Sequence, residues 1–151
     1  MKLKLLIISI LILCAFSCRK ETQKSIPNPT EPEKISLLDT LTLKLNNGEK
    51  WAANLETHIG VTQMDSIIKT FKSGSQKDFA VLGNALSQQT GMIIKKCNMK
   101  GEPHEKLHLV LLPMLDEISA LTELGTETPS EKVLQELENL IAVYFKHFKT
   151  Q

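Results

Sequence analysis

The chain has 151 residues, of which 42% are hydrophobic and 23% charged, and its formal net charge is +1. This length suits one domain, and the apolar fraction is high enough for a packed core, which excludes a wholly disordered chain. The balanced charge provides no basic field of the kind that drives binding to nucleic acid, so we expect no nucleic-acid partner.

The first residues have the layout of a secretory leader. Residues 1–17 contain a short basic start, an apolar run and the small residue Ser17, and Cys18 follows. The apolar run is shorter than the roughly 20 residues that a membrane-spanning helix needs. Residues 14–18, Cys-Ala-Phe-Ser-Cys, resemble the lipobox of bacterial lipoproteins, which signal peptidase II cleaves before a diacylated cysteine. The resemblance implies that acyl chains on Cys18 hold the mature protein at a lipid bilayer.

The residues next to Cys18 indicate to which membrane the protein is directed. Arg19 stands where some bacteria place an Asp as an inner-membrane retention signal, so the outer membrane of a bacterial envelope is favoured over the inner one. Cys14 leaves with the leader and Cys18 carries lipid, so Cys97 would have no cysteine partner in its own chain. A lone thiol in an oxidising envelope calls for an explanation.

Composition divides the mature chain into three segments. Residues 18–36 contain the lipidated N-terminus and a tether with three prolines, a composition typical of extended, solvated chain. Within residues 37–53, Leu41, Leu43 and Leu45 alternate with polar residues and Asn-Asn-Gly follows at 46–48, which predicts a short hairpin or an extended lead-in. Residues 54–151 form the remaining segment, in which we expect a four-helix bundle.

The bundle is predicted from apolar residues at helical spacing. We expect helices over residues 54–71, 76–96, 103–125 and 128–148. Short links force neighbouring helices to run antiparallel, which gives an all-α, up-down-up-down four-helix bundle. Met64, Met92 and Met114 are expected to fill its core.

Residues with metal-binding chemistry fall at one pole of such a bundle. They are His58, Cys97, Met99, His104, His108 and His147. His104 and His108 are four apart on one helix, so both imidazoles can reach a single ion. Thiolate, thioether and imidazole ligands suit copper(I) and zinc. We therefore expect a non-enzymatic metal-binding module formed by Cys97, Met99, His104 and His108, with His58 as a further candidate.

Two cofactor alternatives and one metal-free alternative remain open. Residues 104–108 match the His-Glu-x-x-His pattern of zinc metalloproteases, in which Glu105 would activate water, but the motif stands at a helix start in a short chain. Met64 or Met99 together with a histidine offers axial ligands for a noncovalent haem. We expect no catalytic residue. The metal-free alternative is a module that docks an envelope protein partner through an apolar face.

Two stretches of the domain carry a further resemblance. They read Lys50-Trp51-x-Ala53-Asn54-x-Glu56-Thr57 and Cys97-x-Met99-Lys100-Gly101-x-x-His104-x-x-x-His108. Both are similar to stretches of small uncharacterised bacterial lipoproteins with a helical domain. The resemblance implies no activity, and it marks six residues as a set to be tested together: Trp51, Asn54, Cys97, Met99, His104 and His108.

Overall fold

The structure, a computed structural model, describes residues 43–123 and 130–151. The predicted signal peptide at 1–17, the lipidation site Cys18 and the tether at 18–36 lie outside the described residues. Within the described ranges the chain folds into four α-helices and two short strands, which confirms the prediction of a mostly helical protein. In these same ranges, no helix combines the length and the apolar character that crossing a membrane requires.

Each predicted helix is present. Helix α1 spans Leu55–Ser73, α2 spans Phe79–Lys96, α3 spans Glu102–Thr122 and α4 spans Ser130–His147. Each one buries the apolar stripe that predicted it, because residues three and four apart share one side of a helix. The core combines these stripes with Trp51 and Phe148, which are 5% and 1% exposed.

Local chemistry sets where the helices begin. The carboxylate of Asp78 accepts a hydrogen bond from the backbone N–H of Val81 at 3.0 Å, so α2 starts after this cap and three residues later than predicted. Gly101 precedes α3 with φ 65°, a conformation that glycine adopts readily because it has no side chain. Pro103 lies in the first turn of α3, and Pro113 lies inside this helix without ending it.

The two strands revise the prediction for residues 37–53. A tight turn does form at 46–49, where the backbones of Asn46 and Glu49 exchange hydrogen bonds of 2.8 and 2.9 Å. Among residues 43–53, however, the chain after the turn forms no strand pair with the chain before it, so the structure shows no hairpin in this described part of the segment. Strand β1 (Trp51–Ala53) pairs in parallel with β2 (Phe148–Thr150), so a short strand pair accompanies the helices.

Burial of one aromatic residue explains this pairing. The fourth helix was predicted to continue through Phe148, but α4 ends at His147. The ring of Phe148 stacks on Tyr144 with 5.0 Å between centroids and 9° between planes. The backbone of Phe148 pairs with Trp51, which satisfies polar groups that the end of the helix leaves open.

Side chains link the strand pair to the ends of several helices. The Asn54 amide, just before α1, donates to the backbone carbonyl of Lys96 at the end of α2, at 3.2 Å. The ammonium of Lys106, near the start of α3, lies 5.7 Å from the centre of the Trp51 ring. The start of α1, the end of α2 and the start of α3 are thereby joined to β1, and β2 continues directly from α4.

Candidate functional site

The two histidines at the start of α3 are the predicted ligands that the structure brings together. The ring centroids of His104 and His108 lie 4.4 Å apart, with the ring planes at 58°. His104 is half-buried and His108 is exposed. Two imidazoles on successive turns can bind one ion, but they supply only two of the four ligands that a structural zinc site uses.

Cys97 and Met99 lie in the link between α2 and α3. The backbone N–H of Cys97 donates to the Ile93 carbonyl at 2.8 Å and so caps the end of α2. The Cys97 side chain is half-buried against the hydrophobic core. Met99 is 8% exposed and belongs to that core. Both side chains therefore have packing roles that require no metal.

His58 lies among aromatic side chains. Its ring centroid is 5.8 Å from that of Tyr144 and 5.7 Å from that of Phe145, and its Nδ1 is 3.4 Å from the Tyr144 hydroxyl. Burial raises the pKa of Tyr144 well above its ordinary value. His147, in the last turn of α4, is buried with its Nδ1 2.8 Å from the Val143 carbonyl.

The predicted ligands do not converge on one point. Among residues 43–123 and 130–151, no three side chains of His, Cys, Asp or Glu are grouped so that they could hold a metal ion. The structure thus pairs His104 with His108 and leaves Cys97 and His58 outside that pair. Glu105, the base of the metalloprotease alternative, is exposed in the first turn of α3. Met64, one haem-ligand candidate, is fully buried in the core.

A buried polar network ties the start of α1 to the end of α2. Asn54 is 4% exposed, and its side-chain oxygen accepts a hydrogen bond from the Thr57 hydroxyl at 2.5 Å. The amide of Asn54 donates to Glu56 at 2.8 Å and to the Lys96 carbonyl. Backbone hydrogen bonding and this amide hold the pKa of Glu56 below its ordinary value. The sequence resemblance marked Asn54, but not Glu56, and did not indicate this network.

A groove between α1 and α2 is a feature that the sequence did not predict. We name it the α1/α2 groove, and its lining residues are Glu56, Ile59, Gly60, Gln63, Gln89, Met92, Ile93 and Lys96. Its cavity volume is about 260 Å³. Ile59 is 45% exposed and Met92 48% exposed, which corrects the prediction that Met92 fills the core. A sequence signal existed: both residues fall outside the buried stripe of their own helix.

The base of the α1/α2 groove is a close contact between the helices. A Cβ added to Gly60 would stand 2.7 Å from Cδ1 of Ile93, closer than real side-chain atoms approach. Gln89 donates a hydrogen bond to Gln63 across the two helices. Glu56 lies toward the start of α1 and Lys96 at the end of α2, so the groove carries one charge of each sign at the same end.

Comparison with known proteins adds no relative. No protein-family model, curated protein or solved structure matches the chain. The similarity to bacterial lipoproteins therefore stays a prediction from the sequence, and the functions below are argued from this chain's own residues.

Proposed function

We propose that this protein is a bacterial envelope lipoprotein, tethered by acyl chains on Cys18, whose helical domain is a protein-interaction module. The tether proposal is supported by the leader, the lipobox-like residues 14–18 and the proline-containing segment at 18–36. Such a tether leaves the helical domain beside the membrane, where it can meet other envelope proteins. The outer membrane remains the favoured destination, since Arg19 follows Cys18.

We propose, as part of this account, that the helices run up-down-up-down. The short link of five residues or fewer between α1 and α2, and between α2 and α3, favours antiparallel neighbours. The contacts of Asn54 with Lys96 and of Lys106 with Trp51 support the same arrangement. In it, the start of α1 and the end of α4 share one pole with the strand pair.

The interaction proposal rests on one observation: the walls of the α1/α2 groove are apolar and exposed. Ile59 and Met92 each leave close to half of the side chain exposed, on either side of the Gly60–Ile93 contact. Leu55, one turn before Ile59, is 58% exposed and extends the apolar surface toward the start of α1. Burying apolar surface yields roughly 25 cal/mol per Å², so a partner that covers these side chains gains binding free energy.

The partner that fits is an amphipathic helix of another envelope protein. A groove between two helices accepts apolar side chains spaced three and four residues apart along a third helix. Glu56 and Lys96 at one end of the groove can each pair with an opposite charge on the incoming helix, which would fix its direction. Met92 supplies a flexible thioether that adapts to the shape of the bound side chain.

Size measurement on the lipidated chain tests the proposal. The full chain is extracted from the membranes of its own bacterium in mild detergent, and its assembly is sized by gel filtration with light scattering. We expect the wild type in an assembly with a second protein, and I59K/M92K without that protein. Ile94→Lys is the matched control: Ile94 is 55% exposed on the same helix as Met92 but does not line the groove, and this variant should keep the assembly.

Three results would contradict these proposals. An unchanged assembly in I59K/M92K, or equal loss in Ile94→Lys, would contradict docking in the α1/α2 groove. An assembly composed of this chain alone that I59K/M92K disrupts would identify the occupant of the groove as a second copy instead of a partner protein. Cys18→Ala tests the tether separately, because it should release the chain from the membrane fraction, whereas retention in that fraction would contradict lipid anchoring.

A second candidate function, metal binding, is favoured by one specific observation. The imidazoles of His104 and His108 lie 4.4 Å apart between centroids, at a partly exposed site where an ion can enter. Zinc suits an all-imidazole pair better than copper(I), whose preferred sulfur donors, Cys97 and Met99, are packed against the core. Zinc titration of the full chain against a chromogenic chelator should show binding that His104→Ala removes, and equal binding by that variant would contradict this candidate.

A further inference from the structure

The two histidines of α3 form half of a zinc site. Zinc in a structural site takes four ligands in a tetrahedron, at about 2.0–2.1 Å from imidazole nitrogens. His104 and His108 lie on successive turns of α3 with 4.4 Å between ring centroids and 58° between ring planes, so their nitrogens can converge on one ion. Among the described residues no third His, Cys, Asp or Glu joins them. Two coordination positions therefore stay open to ligands from outside the described chain.

We propose that a second copy of this chain fills those two positions, so that one zinc ion bridges His104 and His108 of both copies. The inference rests on the second candidate function, metal binding by this histidine pair. A two-fold axis through the ion brings the same surface of each copy to the interface, which is the commonest symmetry of protein dimers. Two bidentate histidine pairs then complete the tetrahedron without any further donor.

The surface around the pair supports contact between copies. Leu112 lies one turn beyond His108 and is 52% exposed, and Leu109, on the same side of α3, is 42% exposed. Residues four apart are neighbours on a helix surface, so Leu112 and His108 form one continuous patch. A second copy bound through the histidines would cover this apolar area and gain hydrophobic free energy in addition to the metal bonds.

Charge on the same surface favours a cation between the copies. Glu105 and Asp116 are exposed on this side of α3, so two apposed copies would bring like charges together. A divalent ion offsets part of that repulsion, which makes association depend on the metal. Tethering of both copies to one membrane, as proposed above, raises their effective concentration and helps a weak interface to form.

The test measures zinc content and mass on the same sample. The full chain, purified reduced in detergent, is examined by sedimentation velocity and by elemental analysis after dialysis against zinc or against EDTA. We expect a monomer in EDTA and a dimer with about half a zinc ion per chain in zinc. By linkage, zinc should lower the dimer dissociation constant by at least about tenfold.

Variants separate the metal site from the contact surface. His104→Ala and His108→Ala should each abolish the zinc-dependent dimer, with unchanged circular dichroism as evidence of folding. Leu112→Lys should weaken the dimer but keep zinc binding. Each separate chain should then bind about one zinc ion weakly through its own histidine pair. Leu45→Lys changes an apolar side chain that is 39% exposed ahead of the helices, and this control should dimerise like the wild type.

Every other result overturns the bridged dimer. One zinc ion per chain with an unchanged mass would contradict it and leave metal binding by the histidine pair standing. No zinc binding by the folded wild type would overturn both this inference and the second candidate function. A dimer that forms equally in EDTA, or that persists in His104→Ala, would show an interface that does not use the metal.

Discussion

The side-chain amide of Asn54, at the start of α1, donates a hydrogen bond of 3.2 Å to the backbone carbonyl of Lys96, at the end of α2. Because Asn54 is only 4% exposed, its polar atoms have little access to water and depend on these protein contacts. Asn54 thus provides a hydrogen-bond partner for a carbonyl at the end of α2 while it occupies the N-cap position of α1. The α1/α2 groove begins directly beside this link.

Removal of the Asn54 side chain should destabilise the domain. Asn54→Ala leaves the Thr57 hydroxyl and the Lys96 carbonyl without this partner, which we expect to lower the free energy of unfolding by about 1–3 kcal/mol. Urea denaturation followed by circular dichroism measures this change. Asn84→Ala is the matched control, because Asn84 is exposed within α2, and its effect should stay within about 0.5 kcal/mol. Equal stability of the two variants would contradict a structural role for the Asn54 network.

Two glycines should respond oppositely to the same substitution. Gly60→Ala places a methyl group against the Ile93 side chain, and overpacking of this kind costs about 1–3 kcal/mol. A Cβ at Gly91, in α2, meets nothing within 4 Å, so Gly91→Ala should stabilise the helix by about 0.5–1 kcal/mol. Parallel urea titrations of both variants provide the comparison.

The close contact itself can be tested by a double-mutant cycle. Ile93→Ala removes the two atoms that a Cβ at Gly60 would meet most closely, Cγ1 and Cδ1, so Gly60→Ala should cost less in that background than in the wild type. Additive effects of the two substitutions would show that Gly60 and Ile93 do not limit how closely α1 approaches α2.

The C-terminal strand should be required for a stable core. Phe148 is 1% exposed and stacks on Tyr144, so Phe148→Ala should lower the free energy of unfolding by about 3–5 kcal/mol. Trp51 is the only tryptophan and pairs with Phe148, so its fluorescence should shift to longer wavelength as water reaches it. Lys149→Ala, an exposed change in the same strand, should do neither. A Phe148→Ala variant with wild-type stability would contradict the pairing of β1 with β2.

Acid should remove a contribution to stability from Glu56. Its pKa in the folded protein lies below the ordinary value of 4.5, through hydrogen bonds from the backbone and from Asn54. The Glu56 carboxyl therefore binds its proton less tightly in the folded protein than in the unfolded chain. As a result, the ionised carboxylate stabilises the fold above pH 4.5, and this stabilisation is lost as the pH falls through the lowered pKa. Glu56→Gln should lower Tm at neutral pH, and the difference from wild type should close in acid.

The source of this pH dependence can be checked through Asn54. In the Asn54→Ala background one of the two hydrogen-bond donors to Glu56 is absent, so Glu56→Gln should change Tm by less than it does in the wild type. A difference in Tm that stays constant from neutral to acidic pH would contradict a lowered pKa of Glu56 in the fold.

The helices were predictable because their signal is local. The spacing of apolar residues predicted each helix, and the Asn-Asn-Gly sequence predicted the turn at 46–49. The parallel pairing of β1 with β2 was not predictable, because it joins residues almost a hundred positions apart and depends on the burial of Phe148. A helical pattern continues through Phe148 in the sequence, and tertiary packing overrides it.

The candidate site was predictable to a smaller extent. The spacing of His104 and His108 fixes their shared side of α3, and the structure brings them together as expected. Whether Cys97 and Met99 point toward that pair depends on the path of the link between helices, for which residue spacing carries no signal. Met92 was interpreted as core because its residue type is usually buried, but its position lies outside the buried stripe of α2.

Photo-crosslinking in living cells tests the central claim, docking of a partner in the α1/α2 groove, most directly. A photoreactive amino acid is placed at Met92 in one strain and at Ile94 in another, both in the full lipidated chain. The two positions lie on opposite sides of α2 and are 48% and 55% exposed, so the photoreactive group is about equally accessible at both. We expect one discrete adduct with another envelope protein from position 92, absent from position 94 and lost with Ile59→Lys. Equal adducts from both positions, or none from position 92, would contradict it.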